Sequence, residues 1–294
     1  MRKAFLERIK AGEVLVSDGA TGTNLQMRGL LAGKSGEVWV LENPLEILRL
    51  VSDFVAAGSD IVLTCTFGAS RLQLGHIGLA DKTEQINRTA VALARRGVEG
   101  SQAWVAGSMG PTGEMLQPFG SMTLEEAEAA YLEQARVLAE AGVDLIVVET
   151  MFDIGEALVA VRAVRAACDL PLVCSFSYDR GTKTMMGISP TKAANAFEPF
   201  GVNMLGINCG RSLDENLAAL KELRSVTSLP IWFKPNAGLP STGGLGNLGY
   251  DLTPERMAAP VNLWIAAGAQ VIGGCCGTSP EHLKAIARVV KKQA

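Results

Sequence analysis

The chain has 294 residues, with 27 Lys plus Arg against 30 Asp plus Glu, a net charge of −3. So small an imbalance gives no reason to expect a nucleic acid or an acidic membrane surface as partner. A hydrophobic content of 48% excludes a mostly disordered chain. The length admits one large domain or two small ones, and α/β barrels commonly reach it as a single unit. Glycine, at 32 residues, exceeds its usual share of ~7%, which predicts many tight turns or close backbone approaches to a ligand. The start of the chain is mixed and charged, without the apolar stretch and cleavage site of a signal peptide. No apolar run reaches the roughly 18 residues that span a bilayer. The six cysteines are Cys65, Cys168, Cys174, Cys209, Cys275 and Cys276, and a chain this long needs no disulfides to fold. Asn87-Arg88-Thr89 fits a glycosylation site, which chance explains in the absence of a secretion signal. The expectation is a soluble cytoplasmic protein with no membrane partner.

Short β-branched runs alternate with longer amphipathic stretches. In chain order, strands are predicted over 14–17, 60–64, 103–107, 145–148, 172–176, 204–207, 231–233 and 270–272. They rarely alternate with polar residues, as is usual for parallel strands covered on both faces. Helices are predicted over 44–57, 82–96, 123–141, 155–167, 189–200, 212–225, 253–267 and 279–292. Thr123 with Glu126, and Ser212 with Glu215, have capping-box spacing. Ser189, Thr253 and Ser279 each offer a capping oxygen just before a proline at the first helical position. Eight strand–helix units predict one (β/α)8 barrel, a TIM barrel spanning residues 1–294, with an open doubly wound sheet as the alternative. No low-complexity linker or charge run divides the chain.

Barrel active sites form where strands end and the following loops begin. Those positions hold Asp18, Thr64 and Thr66, Ser108, Glu149, Asn208 and Cys209, Lys234 and Asn236, and Cys275 and Cys276. The sixth and eighth strands stand two apart in a closed ring, so three cysteines can converge. Three thiolates suit zinc and leave one tetrahedral position open, as catalytic zinc sites require. A thiol substrate in that position loses its proton and becomes a nucleophile at neutral pH. Gly273, Gly274 and Gly277 around the cysteine pair supply the backbone freedom to turn both side chains toward one ion. The competing readings of the pair are a buried turn or a vicinal disulfide, since the spacing is not that of a paired CxxC site.

Cys168 and Cys174 read as small buried hydrophobes, and burial is also the reading for Cys65. His76 and His282 are poor ligand candidates, and His282, in the first turn of the last helix, is expected to face solvent. Asp18 and Glu149 each end an apolar strand, where a carboxylate either forms a salt bridge within the barrel mouth or binds a substrate cation. Asp144 begins its strand and so belongs to the stability face. The stretch 243–249 contains a formal GxGxxG but does not sit directly between a strand and a helix, and no acid follows at the required distance. It reads as a loop that covers the pocket or touches a partner.

Several motifs run together along nearly the whole chain. They are Asp18-Gly19-Ala20-Thr21-Gly22-Thr23, Thr64-Cys65-Thr66-Phe67-Gly68, Val148-Glu149-Thr150, Gly206-Ile207-Asn208-Cys209 and Gly273-Gly274-Cys275-Cys276-Gly277. With them the chain resembles the homocysteine S-methyltransferase family. That family includes betaine-dependent and S-methylmethionine-dependent enzymes and the homocysteine-binding module of cobalamin-dependent methionine synthase. The resemblance implies a (β/α)8 barrel and a catalytic Zn2+ held by Cys209, Cys275 and Cys276. It places Asp18, Gly19 and Ala20 beside bound homocysteine, Thr64 and Asn208 on the substrate side, and Glu149 on the substrate ammonium. The implied chemistry is direct displacement, in which the homocysteine thiolate takes a methyl group from an activated donor and methionine leaves.

The donor side is less uniform. Trp39, in Val38-Trp39-Val40, resembles a donor-side residue of the betaine enzymes. Gly68 and Thr150, however, occupy places where those enzymes carry aromatic rings, and a quaternary cation favours such rings. Thr150 and Lys234-Pro235-Asn236-Ala237-Gly238 resemble methionine synthase instead. The resemblance therefore implies a sulfonium such as S-methylmethionine, or a methyl-corrinoid brought by a separate protein. The alternatives are betaine, a different thiol or selenol acceptor, and a homocysteine- or zinc-binding module without turnover.

Overall fold

The computed structural model describes residues 4–242 and 248–292. Its strands, in chain order, are β1 (Leu15–Val16), β2 (Ile61–Leu63), β3 (Trp104–Met109), β4 (Leu145–Met151), β5 (Leu172–Phe176), β6 (Met204–Cys209), β7 (Ile231–Pro235), β8 (Pro240–Thr242), β9 (Leu248–Tyr250) and β10 (Ala269–Ile272). Eight of them form one parallel sheet in the order β1-β10-β7-β6-β5-β4-β3-β2. The ring closes between β1 and β2 through a parallel bridge from Ser17 to Ile61, and the Asp60 N–H donates to the Val16 carbonyl at 2.7 Å. The barrel is therefore formed, and the open sheet is not. β8 and β9 pair antiparallel in a separate two-stranded sheet.

Away from their C-terminal ends, the eight barrel strands are mostly apolar on both faces, for a reason that the ring makes plain. Successive side chains point to opposite sides of a strand. One set, including Leu15, Ile61, Trp104, Leu145, Val173 and Trp232, fills the barrel interior. The alternate set, including Val16, Val62, Val105, Ile146 and Phe233, packs against the surrounding helices. The N-terminal helix Phe5–Lys10 closes the bottom, where Phe5 meets Trp104 edge to face at 5.7 Å between ring centres. Beside it, the Asp144 carboxylate accepts from Arg95 and from the Val105 N–H, each at 2.8 Å. Asp144 thus belongs to the stability face, as its place at the start of a strand implies.

The helices begin where the capping residues put them. Thr123 and Glu126 exchange the two hydrogen bonds of a capping box, and Ser212 accepts from the Glu215 N–H. Two expectations are corrected. The segment 253–267 is two short helices, Pro254–Ala258 and Val261–Ala266, because Pro260 cannot continue a helix from its interior. His282 does not face solvent: its Nδ1 accepts the Ser279 N–H at 3.2 Å and its Nε2 donates to the Leu252 carbonyl at 2.8 Å. It ties the last helix to the segment that follows β9. No helix among the described residues is long and apolar enough to cross a membrane.

Candidate active site

The ends of β6 and β10 bring three sulfurs together. The Sγ atoms of Cys209, Cys275 and Cys276 all lie within 4.8 Å of one another, and Cys209 and Cys275 are 2.8 Å apart. All six cysteines are free thiols, so the vicinal disulfide is not formed. Cys65 and Cys174 are buried and outside the three-thiol group, as expected of small apolar residues, whereas Cys168 is only half-buried against the core. The approach of β10 to its own loop requires glycine, since a Cβ on Gly274 would run into the Thr278 side chain. Hydrogen bonds from the Cys209 and Cys275 thiols pull Cys276 below the usual thiol range, while contacts with Cys275 and Cys276 hold Cys209 above it. One sulfur of the three thus carries charge readily. Three soft sulfur donors at a mouth fit a thiophilic metal ion.

The thiols open on a cavity of about 450 Å³. That is the size of a small-molecule site. Glu149, at the end of β4, lines it, is 7% exposed, and accepts from the Ser108 hydroxyl at 2.5 Å. Burial pushes its carboxyl up to about 7, against the pull of the Lys234 ammonium. Gly19, Ala20 and Thr64 also line the cavity. Glu37, Phe67 and Tyr250 line it as well. The Tyr250 hydroxyl hydrogen-bonds to Cys276, and burial together with that sulfur pushes the phenol pKa above its usual value. Its ring rests on Gly277, where any Cβ would collide with it.

The family model for homocysteine S-methyltransferase matches residues 15–290. The chain belongs to that family. It is 34% identical to methionine synthase of Mycobacterium tuberculosis over 94% of this chain and 24% of that protein. To methionine synthase of Mycobacterium leprae it is 32% identical, over 96% of this chain and 25% of that one. The chain therefore spans about a quarter of the length of these relatives. Among solved structures it superposes on the metallated homocysteine methyltransferase MmuM of Escherichia coli with a TM-score of 0.81 and 26% identity, covering 96% of this chain and 98% of that one. The oxidised form of the same protein gives a TM-score of 0.79.

Within this homocysteine S-methyltransferase barrel, several residues singled out by sequence lie outside the cavity wall, among them Thr66 and Asn236. Asp18 is buried beneath it, where Oδ1 accepts from Lys234 Nζ at 2.7 Å and Oδ2 from the Leu63 N–H at 2.7 Å. Of its two readings, the salt bridge is the one formed, and its carboxylate is not free for a substrate cation. Asn208 is fully buried, and its amide reaches Thr150 and Ser175 rather than the cavity. Trp39 is half-buried against the hydrophobic core. It lies in the helix Gly36–Glu42, whose cavity-lining residues are Gly36 and Glu37. Trp39 packs against the core and is not among the residues that line the cavity. Phe67 and Tyr250 supply the aromatic faces instead. Phe67 lies within the second-strand motif, one residue from the glycine that marks the missing ring. Nothing local marks Glu37 or Tyr250. Residues 243–247 of the glycine-rich stretch lie outside the described residues.

Proposed function

We propose that this chain is a zinc-dependent homocysteine S-methyltransferase that forms methionine. The observation that carries the reading is one cavity holding a three-thiol group and a buried acid, Glu149. Cys209, Cys275 and Cys276 would hold the ion. Bound there, zinc supplies the Lewis acidity that keeps an incoming thiol deprotonated at neutral pH. Glu149, steadied by Ser108, takes the substrate ammonium, and that cation favours its charged form. The two relatives named methionine synthase support methionine as the product. The reduced thiols that the site needs suit a cytoplasmic setting.

The donor we assign is a sulfonium or a methyl-corrinoid delivered by a separate protein. Phe67 and Tyr250 line the cavity, and their rings favour a cation, while the Glu37 carboxylate beside them accepts from the Gly68 N–H and the Ser35 hydroxyl. Betaine recognition favours aromatic rings around its methyl groups, and Trp39 is not among the residues that line the cavity. Initial rates of methionine formation by zinc-loaded protein with S-methylmethionine, methylcobalamin and glycine betaine test the assignment. Turnover with either of the first two and little with betaine is expected. Efficient use of betaine overturns the donor assignment, and methionine from none of the three overturns the activity.

A further inference from the structure

Among the described residues, two that are not glycine have a left-handed backbone: Thr150 with φ 62° and Cys209 with φ 58°. Both sit at the site. Thr150 follows Glu149 near the end of β4, and Cys209 is the last residue of β6. That conformation is costly for a β-branched residue such as threonine and persists only when its surroundings enforce it.

One buried side chain touches both. Asn208 Oδ1 accepts the Thr150 N–H at 2.9 Å and the Ser175 hydroxyl at 2.6 Å. Its Nδ2 donates to Thr150 Oγ1 at 2.7 Å and lies 3.6 Å from Cys209 Sγ and 3.9 Å from Cys275 Sγ. The amide's capacity is thereby used: one N–H goes to the threonine hydroxyl, and the other is shared by two sulfurs. The reverse orientation would face a carbonyl oxygen toward both sulfurs and an NH2 toward the Thr150 N–H, so the network decides it. β4 and β6 are not neighbours, since β5 with Ser175 lies between them. The asparagine therefore bridges three strands beneath the cavity floor.

We propose that Asn208 is a positioning residue that couples the metal-ligand thiols to the substrate acid. Its N–H tempers the charge on the Cys209 and Cys275 sulfurs. Its grip on Thr150 holds the left-handed turn that presents Glu149 to the cavity. This rests on the reading of the site given above, and it places Asn208 behind the ligands rather than against the substrate.

Asn208→Asp keeps the shape and both acceptor roles but turns an anionic oxygen toward the sulfurs. Apparent metal affinity is expected to fall about 10–100-fold, the range seen when groups behind metal ligands are lost. The thiolate-to-metal charge-transfer band of the Co(II)-loaded protein should shift. Ser175→Ala is the milder variant: it removes only the hydroxyl that steadies Oδ1 and should move the band the same way by less. Asn208→Ala removes the brace on Thr150 as well, and calorimetry on metal-loaded protein should show weaker homocysteine binding. In a Thr150→Gly background, where glycine adopts the left-handed turn unaided, that homocysteine cost should shrink several-fold while the metal cost stays. A merely structural role would give the same costs in both backgrounds and no band shift. Parent-like metal affinity and spectra in Asn208→Asp and Ser175→Ala, or an unchanged homocysteine cost in the glycine background, overturn the proposal alone. A parent protein that takes up no metal overturns the reading of the site and this inference with it.

Discussion

At the bottom of the barrel, Phe5, Ile9 and Trp104 fill the interior with apolar surface, and the charges nearby, such as Arg8 with Glu13, stay partly in water. At the mouth the same ring buries Asp18, Lys234, Glu149 and Asn208 and holds two residues in left-handed backbone. The lower end is assembled from groups that prefer to be where they are. The upper end keeps charge and strain in place because Asp18, Lys234, Glu149 and Asn208 each have a hydrogen-bond partner. The difference teaches where stability and chemistry divide in this chain: loss of an apolar contact should act on the bottom through folding, and loss of a polar one should act on the mouth through binding.

The sharpest break is at the thiols. Cys209→Ser should abolish metal uptake and turnover while the barrel remains folded, as metal analysis and circular dichroism would show. Retained metal would mean that the third ligand is another residue. At the opposite end, Trp104→Ala should cost about 3–5 kcal/mol of stability by denaturant unfolding, because a fully enclosed ring leaves a cavity. Metal content per folded chain should not change.

Lys234→Met tests whether the mouth's buried pair behaves differently from exposed pairs. Both side chains of the Asp18–Lys234 pair are 3% exposed, so an unpaired Asp18 should cost roughly 3–5 kcal/mol. Glu13→Gln at the bottom removes a pair that is partly in water and should cost under about 1 kcal/mol. Equal effects in urea titrations would erase the contrast.

On binding, the effect at Glu149 should be smaller than that at the thiols. Glu149→Gln should weaken homocysteine binding by about 1.5–3 kcal/mol, the usual worth of a hydrogen bond to a charged group. With its carboxyl raised to about 7, the parent should bind homocysteine more tightly as pH rises through that value, and the glutamine variant should lose this dependence. The same shift has a stability sign. Between the ordinary value of 4.5 and about 7 the folded state holds a proton that the unfolded state has released, so this residue lowers stability as pH rises across that window. Calorimetry and pH-dependent unfolding of both proteins would check the two signs.

By itself the sequence determined the eight strands, most helix starts, the barrel and the three thiols. Those features are local: apolar runs, capping oxygens, and cysteines at strand ends whose positions in a ring follow from counting. Only the tertiary structure decided which polar groups meet. Asp18 and Lys234 are 216 residues apart, and neither sequence context says that each would satisfy the other rather than a substrate. Asn208 reaches Thr150 across an intervening strand, a pairing set by the stagger of β4, β5 and β6. Trp39 turns into the core while Glu37 turns to the cavity, because a helix rotates its residues and only its packing fixes the angle. Tyr250 arrives on β9, whose approach to the cavity no local pattern encodes. Hydrophobic burial is non-directional and can be read from composition along the chain, whereas hydrogen bonds and ion pairs are directional and depend on where distant segments come to rest.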